Sequence, residues 1–226
     1  MHLRFALRSL TALAALSLWL ATPLHSQAPS ADDLARSLQK RYATIRDFRA
    51  DFTHQVQGSV LRTLRTTEHG ELKVKKPGRL WMTYAPPQKK SFVADGTYVY
   101  TYVASDRTGT QGPMPEGDDL SVAILFLAGR GDLVKDFRAS MPTEQPADAW
   151  HLVLTPVKRQ ADFATMTLVV DRRTLALRGL STVDHQGGTF VFTFTNLREN
   201  VGLKDSDFRF TFPRNTNVIH TGPARE

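Results

Sequence analysis

Residues 70–102, GELKVKKPGRLWMTYAPPQKKSFVADGTYVYTY, constrain this chain more than any other stretch. Apolar side chains fall at every second position: Leu72 and Val74, then Leu80, Met82 and Tyr84, then Tyr98, Tyr100 and Tyr102. Lys76-Pro77-Gly78, Ala85-Pro86-Pro87 and Asp95-Gly96 break the runs. Period two with turn residues between the runs predicts consecutive antiparallel strands that share one apolar face. That face is long and aromatic, and no catalytic cluster interrupts it. The pattern points to a surface that holds something apolar rather than to a reaction.

The period changes before this stretch. Ser30 is placed to cap a helix, with Asp32 and Asp33 in its first turn where the helix dipole favours acids. Leu34, Leu38, Tyr42 and Ile45 then recur at helical spacing, which predicts a helix over 31–44. From Asp47 onward Phe48, Ala50, Phe52, His54 and Val56 alternate with polar residues, so a strand begins there. A partner strand is expected from Arg65 to Lys75. Residues 105–117, rich in glycine and proline, read as a mobile loop. Residues 118–129 read as a short helix that is apolar nearly all round, Leu125 and Phe126 included, and closed by Gly129. Beyond Phe137 strands return. Trp150, Leu152 and Leu154 alternate, as do Met166, Leu168 and Val170, Leu175 and Leu177, and Phe190, Phe192 and Phe194. Residues 207–212 repeat the device, and the tail after Pro213 reads as loose.

Antiparallel strands numbering about eleven cannot lie flat in one sheet; they curl, close or split. Two architectures use all of these parts. One is an unclosed antiparallel half-barrel, mainly β with helices (α+β), whose helices cover an apolar cavity. The other is a β-sandwich whose aromatic face is simply core.

The first 26 residues lie apart from this plan. Arg4 and Arg8 precede an apolar run over 10–21, shorter than the roughly 20 residues of a membrane span and suited to a secretory signal. Cleavage is expected at Ser26, with Ala28 as the other choice. Residues 27–226 then form a single domain of about 200 residues, enough to build a core without disulfides. The chain contains no cysteine, so no lipid anchor can be attached to one. The expectation is a free, monomeric protein of the periplasm.

Chemistry is sparse. His54, His69, His151, His185 and His220 show no metal-ligand spacing, and neither a nucleophile elbow nor a phosphate-binding glycine loop occurs. His54 falls on the apolar side of its strand, where a hydrogen-bonded structural role suits it better than ligation. The net charge of +7 includes Arg4 and Arg8, and the other basic residues are scattered except Lys73-Lys75-Lys76 and Lys89-Lys90. That does not make the clustered basic stripe of a nucleic-acid binder. No enzyme, metal or cofactor is expected.

The order of several short pieces resembles the periplasmic outer-membrane lipoprotein carrier family, LolA. They begin with the leader, the first helix and Phe48-Arg49-Ala50-Asp51-Phe52-Thr53. Gly70-Glu71-Leu72, Val74-Lys75-Lys76-Pro77-Gly78 and Tyr84 with Pro86 follow. Val93-Ala94-Asp95-Gly96, Tyr100-Thr101-Tyr102, Phe126-Leu127-Ala128-Gly129, Asp132-Leu133 and Phe208-Arg209-Phe210 with Pro213 complete the series. The resemblance implies an unclosed barrel with a helical lid. It implies a shuttle that takes acylated lipoproteins from an inner-membrane ABC transporter towards an outer-membrane receptor, without catalysis or cofactor. A shuttle or sensor of the same fold for another envelope lipid, such as a phospholipid, is the alternative. The cavity would draw on Phe52, Leu72, Val74, Met82, Tyr84, Tyr100, Tyr102, Leu125, Phe126, Met166, Leu168, Phe190, Phe192 and Phe194. Lys76 and Pro77 would control the lid. Lys76 stands where the family usually has an arginine that holds helix carbonyls, and lysine lacks that planar fork of donors. Trp81 and Met82 stand where the family tends to have Arg then Trp. Alternation turns Met82 inward and Trp81 outward, unless the register shifts by one.

Overall fold

The computed structural model describes residues 28–58, 65–114 and 131–222. It opens with helix α1, Ala31–Ala43. The Ser30 hydroxyl oxygen accepts the Asp33 N–H at 3.1 Å, Asp32 and Asp33 occupy the first turn, and Lys40 and Arg41 the last. Each of these favours the helix at its own end. Leu34, Ala35 and Leu38 form its buried stripe.

Twelve strands follow, all in one sheet. They are β1 (Asp47–Gln57), β2 (Arg65–Lys75), β3 (Arg79–Tyr84), β4 (Lys90–Asp95), β5 (Tyr98–Val103) and β6 (Thr108–Pro113). The second half supplies β7 (Phe137–Ser140), β8 (Ala149–Pro156), β9 (Thr165–Asp171), β10 (Leu177–Val183), β11 (Thr189–Glu199) and β12 (Asn217–His220). Their order across the sheet is β12-β6-β5-β4-β3-β2-β1-β11-β10-β9-β8-β7. Every pairing is antiparallel except β12 on β6. The two long strands β1 and β11 join the halves at the centre, with a bulge in β11, where Asn196 and Leu197 stand opposite Ala50. β12 and β7 form the two edges, so the sheet stays open.

The sheet curls. Laid flat, β5 and β10 stand six strand spacings apart, roughly 29 Å. Residues of both nevertheless border one cavity of about 450 Å³. This is the half-barrel rather than the sandwich. α1 packs over β7 and β8 at one end of the concave face.

Four expectations change. Residues 105–117 contain strand β6 rather than a loop throughout. Its glycines allow close approach: a Cβ on Gly109 would sit 2.3 Å from the Phe212 ring, and one on Gly112 2.2 Å from the Thr221 hydroxyl. Residues 207–212 make no strand. A single 3-10 turn, Asp205–Phe208, leads into a segment that lies on the convex face. The tail after Pro213 is not loose throughout, because it carries β12. Leu175 belongs to the turn before β10, at φ +56°, and not to a strand ladder. The expected helix over 118–129, with Leu125 and Phe126, lies outside the described residues.

Candidate functional site

The register of the central strands decides which side chains meet. Leu72, Met82 and Phe92 are successive partners across β2, β3 and β4, so they share the concave face. Across the centre, Phe52 pairs with Phe194 and His54 with Phe192, and Phe192 pairs in turn with Leu180 on β10. Apart from Phe52, these two series bound the 450 Å³ cavity, which Tyr84, Tyr102, Val103, Phe163, Thr182 and Phe190 extend. Its size is within the range of small-molecule sites, and its wall is largely aromatic and aliphatic.

Of the residues expected here, Leu72, Met82, Tyr84, Tyr102, Phe190, Phe192 and Phe194 border the cavity. Phe52 stands behind its wall, edge-on to Tyr84 at 5.0 Å and to Phe192 at 5.7 Å. Val74, Met166 and Leu168 are fully buried core. Leu168 lies under α1 beside a void of only about 20 Å³. Packing of α1 fills that end of the concave face, so residues with the right alternation become core instead of cavity.

Tyr100 lies on the opposite face. It pairs with Val93, which pairs with Trp81, and all three point to the convex side. There Phe210 meets Trp81 at 5.7 Å and Tyr100 at 5.4 Å, and Phe212 meets Tyr100 at 6.0 Å. Lys75 and Arg79 tie down Asp205 at 2.6 and 3.1 Å. The C-terminal segment thus covers the outer aromatic patch. Met82 faces inward and Trp81 outward, as alternation predicts.

Sequence reasoning missed His54, Phe92, Val103, Phe163 and Leu180 as cavity neighbours. Phe92-Val93-Ala94 is apolar on both faces because both are covered, which hides its alternation. Leu180 follows Gly179, and its strand shows no run of alternating apolar residues. His54 was legible as facing inward, but not as part of a polar cluster. Its Nδ1 lies 3.2 Å from the Tyr84 hydroxyl, and the Lys90 ammonium meets both carboxylate oxygens of Glu68 at 2.7 and 2.8 Å. Burial lowers the His54 pKa, outweighing the nearby Glu68 charge, so the ring is neutral at pH 7. Burial, then Glu68, raises that of Tyr84 far beyond the ordinary phenol range. Among the described residues no cluster suits a metal ion.

At the other end of the concave face, the C-terminus of α1 is held from two sides. Arg41 grips Glu199 of β11 through two hydrogen bonds of 2.9 and 2.8 Å and donates from Nε to the Thr174 carbonyl at 2.6 Å. Lys76 donates from Nζ to the Tyr42 carbonyl and lies 3.4 Å from the centroid of the Tyr42 ring. The lysine therefore reaches a helix carbonyl with a single ammonium instead of a fork. Burial pulls its pKa down to about 8, against the opposing pull of Glu199.

Residues 43–211 match the family described as Outer membrane lipoprotein carrier protein LolA. The chain is 30% identical over 163 residues to an outer-membrane lipoprotein carrier protein of Ralstonia nicotianae, covering 72% of this chain and 73% of that one. It is 29% identical over 196 residues to the protein of that name from Cupriavidus taiwanensis, covering 85% and 90%. Among solved structures, an uncharacterized conserved protein from Thermus thermophilus superposes with a TM-score of 0.52. It does so at 12% identity, over 83% of this chain and 99% of that one.

Proposed function

The chain belongs to the outer-membrane lipoprotein carrier family, and on that premise we propose that it carries acylated lipoproteins across the periplasm, holding their acyl chains in the cavity of the curled sheet. One observation carries the reading: a 450 Å³ apolar cavity inside an open sheet. Each buried methylene is worth about 0.8 kcal/mol, so a chain that fits there is held without any specific bond. Aromatic rings and Met82 supply a wall that adapts to chains of different length. Cavity binding needs neither catalysis nor a cofactor.

In this reading residues 1–26 direct export and are removed, and residues 27–226 act as one unit. An inner-membrane ABC transporter loads the carrier, and an outer-membrane receptor is the natural acceptor. Lys76 and the adjacent Pro77 set how firmly α1 is held, and through it how readily the cavity opens. Leu125 and Phe126 contribute apolar contacts to the cargo.

Native mass spectrometry of the protein isolated from its own periplasm, after incubation with spheroplasts as donor, tests the proposal. A mass increment equal to an acylated lipoprotein supports it. A phospholipid-sized increment assigns the cavity to another envelope lipid instead. Absence of any bound mass after exposure to the donor contradicts the carrier reading.

A further inference from the structure

The lining of the cavity also holds Lys90, Ser91, Thr101, Asp162 and Thr182, but among the described residues the buried side-chain polar atom without a hydrogen-bond partner is on His54. His54 is only 9% exposed and borders the cavity. Phe192 stacks on its ring at 4.1 Å with 4° between the planes, and Phe190 lies beyond at 6.3 Å. Among the described residues its Nε2 has no hydrogen-bond partner, and that atom is itself buried. A buried polar atom without a partner is unfavourable and calls for an explanation.

The neighbours fix what that atom offers. Glu68 approaches Nδ1 at 3.6 Å, too far for a hydrogen bond, and is already engaged by Lys90. The Tyr84 hydroxyl, at 3.2 Å, is therefore the partner of Nδ1. Tyr84 keeps its proton, because burial and Glu68 oppose its ionisation. A protonated phenol is a stronger donor than acceptor towards a neutral imidazole; with Tyr84 as the donor, Nδ1 accepts and the ring carries its proton at Nε2. The unpartnered atom is thus an N–H donor in the cavity wall. Lys90 is neutralised by Glu68 and covers the Tyr84 ring at 4.3 Å, so among the described residues lining the cavity the one cation is already paired. The donor suits a neutral acceptor. Phe190, 39% exposed, is the neighbouring ring with room to swing aside and admit one.

We propose that His54 Nε2–H is the hydrogen-bond donor for an acyl carbonyl oxygen of the cargo, at the junction where the chain entering the aromatic cavity meets its polar head. The assignment rests on the carrier reading and deepens it: aromatic wall for the chain, one donor for the carbonyl. An acyl carbonyl can belong to an ester or to an amide, and isotopic labelling separates the two.

The test uses the mature protein with a synthetic triacylated lipopeptide carrying carbon-13 either in its ester carbonyls or in its amide-linked acyl carbonyl. In wild type, the infrared band of one labelled carbonyl moves to lower frequency on binding. His54→Phe keeps a stacking ring and abolishes the shift, while His54→Gln, which retains an N–H donor, restores it. Lipopeptide affinity falls about tenfold in His54→Phe, as loss of one hydrogen bond predicts. Affinity for an apolar dye without a carbonyl does not fall with it. Nitrogen-15 spectra of the wild type add a readout independent of the variants: the Nε2–H form is present before loading, and its resonance moves on loading. Lipopeptide binding by wild type with neither carbonyl shifted, or with the shift surviving in His54→Phe, overturns the donor assignment and leaves the carrier reading standing. An unmoved Nε2 resonance does the same. Failure of wild type to take up lipopeptide at all overturns both.

Discussion

Gly70→Ala tests the wall of the cavity through a single methyl group. Gly70 sits on β2 between Phe52 of β1 and Tyr84 of β3. A Cβ there would lie 2.1 Å from the Thr83 carbonyl oxygen and 2.6 Å from the tip of the Phe52 ring. The first contact is with backbone, so β3 must move. The second is with a ring, so Phe52 must leave its edge-on contacts with Tyr84 and Phe192. Overpacking of this kind costs about 1–3 kcal/mol, and each lost aromatic pair adds about 0.5–1.5 kcal/mol. Replacing glycine also restricts the unfolded chain and returns about 0.4–1 kcal/mol. The net expectation is a loss of roughly 3 kcal/mol, which lowers Tm by about 6–12 °C in a chain of this size. Urea and thermal unfolding of the mature protein measure it. Adding Phe52→Leu to Gly70→Ala should recover part of the loss, the sign of direct coupling. A Gly70→Ala variant within about 0.5 kcal/mol of wild type would refute the β1–β2–β3 register that builds the wall.

Other consequences follow from the opposite end of the concave face. Lys76 titrates near pH 8 in the fold against an ordinary 10.5, so the ionised form is penalised by folding. That penalty is fully present below pH 8 and is relieved as pH rises towards 10.5, where the unfolded chain alone still holds the proton. Wild type should therefore gain stability over Lys76→Met between pH 8 and 10 in urea melts, and a narrowing difference contradicts the assignment. Arg41→Ala strands Glu199 in a pair whose side chains are 25% and 23% exposed. It should cost about 1–3 kcal/mol, between an exposed and a buried pair, with Arg41→Ala/Glu199→Ala losing less than the sum of the single changes. Leu125→Asp or Phe126→Asp should weaken binding of an acyl probe while the circular dichroism spectrum is kept; unchanged binding removes both from the cavity.

The local parts were legible wherever a local cause set them. Ser30, Asp32 and Asp33 mark the start of α1, and the switch from helical to alternating period marks β1 at Asp47. That Met82 and Trp81 take opposite faces follows from pleat alone. The misreadings share a different cause: an element packed on from far along the chain. Gly109 and Gly112 read as loop residues, yet they are small because Phe212 and Thr221 pass close above them. Residues 207–212 alternate like a strand, but their phenylalanines cover the convex face instead of joining the ladder. Tyr100 has an apolar environment, as expected, but on the face that this segment covers. Periodicity says which residues share a face, and only register with the neighbouring strands says which face that is. His54 illustrates the limit for the site itself. Its inward direction was readable, while its meeting with Tyr84, Glu68 and Lys90 depends on four strands at once.

The central claim is that cargo acyl chains lie inside the curled sheet, and site-specific photo-cross-linking tests it most directly. A benzophenone amino acid is placed at Phe92, which borders the cavity, or at Phe210 on the convex face, and each variant is loaded from spheroplasts. The account predicts that position 92 captures the acylated part of a lipoprotein and that position 210 captures none. Capture from position 210, or loaded protein that gives no adduct at position 92, would contradict it.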